Sequence, residues 1–140
     1  MTATISTTIQ QILPMIRQMT ISDEQYAAFN QNIDRKLAER VWTAKDANSQ
    51  TTLDEISKLY KKAIEDHKEN LNSQYDLGKK LIQRVETAQD LGAIPTILQE
   101  FQTAIQPLLA THKQLETTIA NLEGRMIPLL PANTRFANPI

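Results

Sequence analysis

The 140-residue chain has no cysteine, three glycines and only 5% aromatic residues. The lack of cysteine excludes disulfides, thiolate metal sites and cysteine nucleophiles. So few glycines argue against a β-rich fold, which needs many tight turns. An excess of charge is missing as well. The 15 basic and 16 acidic side chains leave a formal net charge of −1, and so no global field to draw in nucleic acid or an anionic membrane. No apolar run approaches the roughly 20 residues that span a bilayer. No signal-peptide pattern is present, because the first basic residue is Arg17 and Thr and Gln interrupt the apolar positions before it. Thr2 offers no glycine for myristoylation, and no terminal cysteine exists for prenylation. The expected location is cytoplasmic. Catalytic signatures are also missing: there is no Gly-rich phosphate loop, G-x-S-x-G elbow or H-E-x-x-H helix.

What is present is helical periodicity, in a chain whose 41% hydrophobic content suffices for one buried core. Residues 53–91 read as a single amphipathic helix. At roughly 100° per residue, its apolar positions, from Leu53, Ile56 and Leu59 to Ile82, Val85 and Ala88, fall in an arc about 160° wide, with every Lys and Arg outside it. Thr52 and Glu55 have capping-box spacing at its start, and Gly92 suits the left-handed position after its end. At about 1.5 Å per residue the helix is nearly 60 Å long. A compact globule of this size does not use that length, and the surplus points to partners.

Three further helices complete the pattern. Ile5, Ile9, Ile12, Leu13, Ile16 and Met19 line one face of a first helix over residues 4–19, with Pro14 on the opposite side. The second, over 23–46, opens at Ser22-Asp23-Glu24-Gln25, where Ser22 and Gln25 form a capping box. Its expected buried stripe is Tyr26, Phe29, Ile33, Leu37, Val41 and Ala44. The fourth, over 95–127, takes Pro95 in its first turn and carries one apolar phase through Pro107. The expected fold is all-α: an elongated four-helix bundle built on a long antiparallel helical hairpin. Residues 1–127 form a single domain, and 128–140, with three prolines, an extended tail.

His67 and His112 lie in the apolar arcs of the third and fourth helices, where bundles build metal sites. A hairpin turning near 92–94 sets His112 opposite Gln74 and His67 opposite Ile119, about 10 Å apart and too far to share an ion. Ile64 and Leu109 stand where Glu-x-x-His motifs would place carboxylates. No metal site, cofactor or small-molecule substrate is therefore expected. His67, Asn70, Gln74 and Gly78 interrupt the apolar face of the long helix as a polar seam. It is read as fixing register between helices, with Gly78 permitting a close backbone approach.

Lys58, Lys61, Lys62, Lys79, Lys80 and Arg84 are the candidate phosphate contacts. They share their arc with carboxylates spaced for pairing, such as Glu65 against Lys61, Lys62 and Lys68, so a balanced solvated face is expected. Arg35, Lys36, Arg40 and Lys45 scatter around the second helix. Charge is sparse in residues 1–22 and on the polar face of the fourth helix, made largely of Gln99, Gln102, Thr103, Gln106, Thr111, Gln114, Thr117, Thr118 and Asn121. Interfaces are depleted in Lys, Glu and Asp, so contacts are expected there.

The expected function is non-enzymatic: an assembly protein that self-associates or docks as a small structural subunit in a larger complex. Trp42, Leu129, Leu130, Phe136 and Ile140 are the expected anchors, with Gln106, Gln114 and Thr118 as polar rim. In size and helicity alone the chain is similar to the small all-α subunits of CRISPR ribonucleoprotein effectors. That likeness implies an alternative, in which the six basic residues named above contact nucleic acid.

Overall fold

A computed structural model describes residues 2–38 and 42–132, with side chains over 7–36 and 42–132. The described residues are helical and contain no strand. The helices are α1 (Thr2–Gln18), α2 (Asp23–Ala38), α3 (Gln50–Glu86) and α4 (Ile94–Met126), with 3₁₀ turns at Ala47–Ser49, Leu91–Ala93 and Ile127–Leu129.

Local chemistry sets the helix ends. At α2 the capping box forms as its spacing predicts: the Gln25 amide N–H donates to Ser22 Oγ at 3.1 Å, and Ser22 N–H donates to Gln25 Oε1 at 3.0 Å. Helix α3 differs from expectation at both ends. Asp46 accepts the Ser49 N–H at 2.9 Å and opens a 3₁₀ turn that runs straight into the helix at Gln50, so Thr52 lies inside it and caps nothing. At the other end Thr87 closes the helix with its hydroxyl on the Gln83 carbonyl at 2.8 Å. Asp90 then accepts the Gly92 N–H at 3.0 Å and starts a new turn, which leads into Pro95 in the first turn of α4. Gly92 is thus part of that turn and not the end of α3.

Helix α2 is shorter than its periodicity suggests, and Trp42–Ala44 lie outside any helix. The Gln50 side chain competes for that backbone: its amide N–H donates to the Trp42 carbonyl at 3.0 Å, and its oxygen accepts the Ala44 N–H at 2.8 Å. Lys45 N–H donates to the Leu129 carbonyl at 2.8 Å, tying this segment to the far end of α4. Leu37 and Val41 of the expected stripe lie outside the described side chains, as does Ile5. The helices α1 and α4 run through Pro14 and Pro107 without a break, both prolines facing solvent.

Helices α3 and α4 form the expected antiparallel hairpin. Helices α1 and α2 follow one another along it, both running opposite to α3. Successive contacts show the direction: Arg17 meets Glu86, Thr20 lies over Gly78, Tyr26 meets Asn72, Asp34 meets Lys68, and Lys36 meets Tyr60. The two short helices together are as long as α4, at 17 and 16 residues against 33. They lie in succession beside the hairpin and meet α3 from Glu86 to Tyr60, and Ala44 and Leu130 share a core with Leu53 and Ile56 in its first turns. The surplus length that the sequence attributes to partners is therefore used inside the chain.

Two core clusters result. One joins Ile33 of α2 to Leu53, Ile64 and Leu71 of α3 and Leu122 and Met126 of α4. The other joins Ile9, Leu13 and Ile16 of α1 to Leu81 and Val85 of α3 and Ile97 and Phe101 of α4. Three helices share each core, where the periodicity suggests four. Full burial of each such aliphatic or aromatic side chain is worth about 1.5–3 kcal/mol, and this holds the two short helices in place. The apolar arcs are not wholly consumed, since Leu59, Leu109 and Ile127 are exposed.

Candidate functional site

Between the two cores lies the polar seam, and its register departs from expectation. Because α3 ends at Glu86 and α4 starts at Ile94, the hairpin is centred near Asp90 instead of 92–94. The shift brings His67 opposite His112, with ring centroids 4.9 Å apart. The expected separation of two turns is wrong, and its cause is the early end of α3.

The seam is a directed hydrogen-bond chain. Asn70 Nδ2 donates to the Leu108 carbonyl at 3.1 Å, and its oxygen accepts Gln74 Nε2 at 2.6 Å. The same Gln74 amide reaches His112 Nδ1 at 3.1 Å. An amide N–H donates only, so His112 Nδ1 accepts and the ring proton sits on Nε2, against the Glu116 carboxylate. His67 is fully buried, and neither of its ring nitrogens has a hydrogen-bond partner. Burial, then the neighbouring His112, pushes its pKa down to about 4, against the pull of Glu116. Among the described residues no group of three His, Asp or Glu side chains is placed to hold a metal ion.

A second polar cluster joins three helices. Lys36, nearly fully buried, places Nζ 2.8 Å from Glu123 Oε1, and the Tyr60 hydroxyl donates to the same oxygen at 2.7 Å. In the sequence Lys36 stands with Arg35, Arg40 and Lys45 as one of the cations scattered around the second helix. The signal that marks it is its spacing of three from Ile33, which puts it on the buried side of α2. Further along, Tyr26 stacks on Tyr75 at 4.0 Å. The Tyr75 hydroxyl donates to Asp23, which with Lys79 beside it holds the Asp23 carboxyl below the usual range.

The candidate phosphate contacts do not form one track. Lys62 pairs with Asp66, Lys79 with Asp23 and Arg84 with Glu100, at 3.6, 3.3 and 2.6 Å. The pairing expected of Glu65 does not occur among the described residues, since Lys68 turns to Asp34 instead. Lys58 and Lys61 lie elsewhere, on the rim of a cleft that also holds Trp42. Of the expected anchors, Trp42 and Leu129 are half-buried against the first core, and Leu130 is buried within it. Leu130 thus spends its apolar surface inside its own chain. Phe136 and Ile140 lie outside the described residues. Gln106, Gln114 and Thr118 are exposed on α4.

No protein-family model matches the chain, and neither a curated protein nor a solved structure matches it. Among the described residues no helix is long and apolar enough to cross a membrane.

Proposed function

We propose that this chain is a non-enzymatic assembly protein, a small helical subunit of a homo-oligomer or of a larger complex. The observation that supports this reading is the outer face of α4. Gln99, Gln102, Thr103, Gln106, Thr111, Gln114, Thr117, Thr118 and Asn121 are all exposed, and they make that face largely uncharged. Helices α1 and α2 lie along α3, and α4 keeps this long face turned away from its own chain. Burying an unpaired charge costs several kcal/mol, whereas amides and hydroxyls re-form their hydrogen bonds across a contact, so a low-charge face is inexpensive to dock. The exposed Leu109 of the same helix, and Ile127 in the 3₁₀ turn that follows it, add apolar area. The length of α3 no longer counts toward this proposal.

Gentle purification of the native protein, followed by measurement of its mass and companions, tests it. An assembly heavier than one 15.9 kDa chain is expected. A monodisperse monomer without companions counts against it. The alternative, a subunit that tracks nucleic acid along α3, is weakened because three of its six basic residues are already paired with carboxylates.

A further inference from the structure

The outer face of α4 is not only low in charge; its residues follow an order. At roughly 100° per residue, the positions of 99–121 that fall within about 40° of one line along the helix are Gln99, Thr103, Gln106, Ala110, Gln114, Thr117 and Asn121, and all are exposed. Their steps are four, three and four on either side of Ala110, so two 11-residue repeats meet at that residue. An 11-residue repeat averages about 3.67 residues per turn, close to the helix itself, and the stripe stays nearly straight over roughly 33 Å. Read outward from Ala110, the two halves carry the same side-chain chemistry in mirror order. Gln106 and Gln114 are amides, Thr103 and Thr117 are hydroxyls, and Gln99 and Asn121 are amides again. On the flanks Gln102 and Thr118, both polar and uncharged, stand equally far from Ala110.

We propose that the occupant of this face is a second copy of the chain, α4 against α4 in antiparallel order, with the two-fold axis at Ala110. This rests on the assembly reading above and narrows it to an isologous dimer. A two-fold contact uses one surface on both subunits, so that surface must complement itself. Mirror order about Ala110 meets that requirement, and a different partner would call for no such order on this side. Each residue then faces the one equally far from Ala110 on the other copy: Gln106 meets the partner's Gln114, Thr103 the partner's Thr117 and Gln99 the partner's Asn121. Every amide and hydroxyl both donates and accepts, so these pairs satisfy one another with no charge to desolvate. Ala110 meets its own copy on the axis, and its small side chain lets the helices approach to about 8 Å. Glu100, Lys113 and Glu116, the acidic and basic side chains between 99 and 121, fall opposite Ala120, Pro107 and Ala104, so no like charges meet.

The chain has no cysteine, so single cysteines read this geometry without background. Ala110→Cys puts a thiol on the axis, where Cα atoms about 4–7 Å apart suit a disulfide. Mild oxidation should double its mass from 15.9 kDa on a non-reducing gel. Gln99→Cys alone should stay at the monomer mass, because its two copies stand roughly 33 Å apart along the pair. Mixed with Asn121→Cys it should cross-link. All three positions are exposed, so the helical circular dichroism should be unchanged. Sedimentation of the unmodified wild-type chain, measured alongside, separates this inference from the reading it rests on. An assembled wild type in which Ala110→Cys stays uncross-linked overturns the two-fold contact and leaves assembly standing. So does cross-linking of Gln99→Cys alone to the same extent as Ala110→Cys. A wild type that sediments as a monomer without companions overturns both.

Discussion

Lys36 Nζ and Glu123 Oε1 lie 2.8 Å apart across 87 positions of sequence, in a pocket from which water is nearly excluded on the lysine side. The pair clamps α2 to α4, and the Tyr60 hydroxyl on the same oxygen adds α3. Glu123→Ala takes away the carboxylate that offsets a buried ammonium. It should cost about 3 kcal/mol in urea denaturation, the lower end of the range for broken buried pairs, because Glu123 keeps some contact with solvent. Replacing both partners, as Lys36→Met/Glu123→Leu, should recover most of that loss. Equal stability of Glu123→Ala and wild type would remove the clamp from the account.

Stability should fall in acid because of His67. Its folded pKa of about 4 lies below the ordinary 6.5, so the unfolded chain binds the proton more readily. Above pH 6.5 neither state is protonated and nothing is lost. As pH falls from about 6.5 to about 4 the folded state is progressively penalised, by about 3 kcal/mol in total, and below that the penalty is constant. His67→Leu should flatten this part of the profile. It should also be at least as stable as wild type at pH 7, because the ring nitrogens it removes have no partners. An unchanged acid profile in His67→Leu would assign the pH dependence to other groups.

Gly78 sits where α3 passes under the turn between α1 and α2. A Cβ there would stand 2.9 Å from the Thr20 Cβ, closer than packed atoms tolerate. Gly78→Ala gains about 1 kcal/mol of helix propensity but overpacks at a cost of about 1–3 kcal/mol, so a net loss of about 1 kcal/mol is expected. In a Thr20→Gly background the obstruction is gone, and the same substitution should become stabilising. Thermal or urea unfolding of the four proteins measures both signs, and a stabilising Gly78→Ala in the wild-type chain would refute the close approach.

The features legible in the sequence are those decided within a few residues. Ser22 and Gln25 cap α2 as their spacing says, Pro95 opens α4, and Gly78 marks a close contact. The misjudged features each rest on a competition or on a long-range pair. Asp46 and Asp90 start 3₁₀ turns that take over from Thr52 and Gly92, and the shortened α3 shifts the hairpin register enough to bring His67 against His112. Periodicity finds the buried side of α1 and α2 but not that they share one groove end to end, because a break of four residues reads the same whether the chain turns back or continues. Lys36 and Glu123 are each charged residues at a helical spacing from a buried one, and only the tertiary fold shows that they meet.

The central claim is assembly through the outer face of α4, and the native mass of the protein with that face intact and altered tests it most directly. Sedimentation of the gently purified wild-type protein should give a species heavier than one 15.9 kDa chain. Gln106→Arg/Gln114→Arg/Thr118→Arg should release the monomer while leaving the unfolding transition in place, since all three residues are exposed. A wild-type protein that sediments as a monomer without companions, or a heavier species that survives the triple substitution, would contradict the claim.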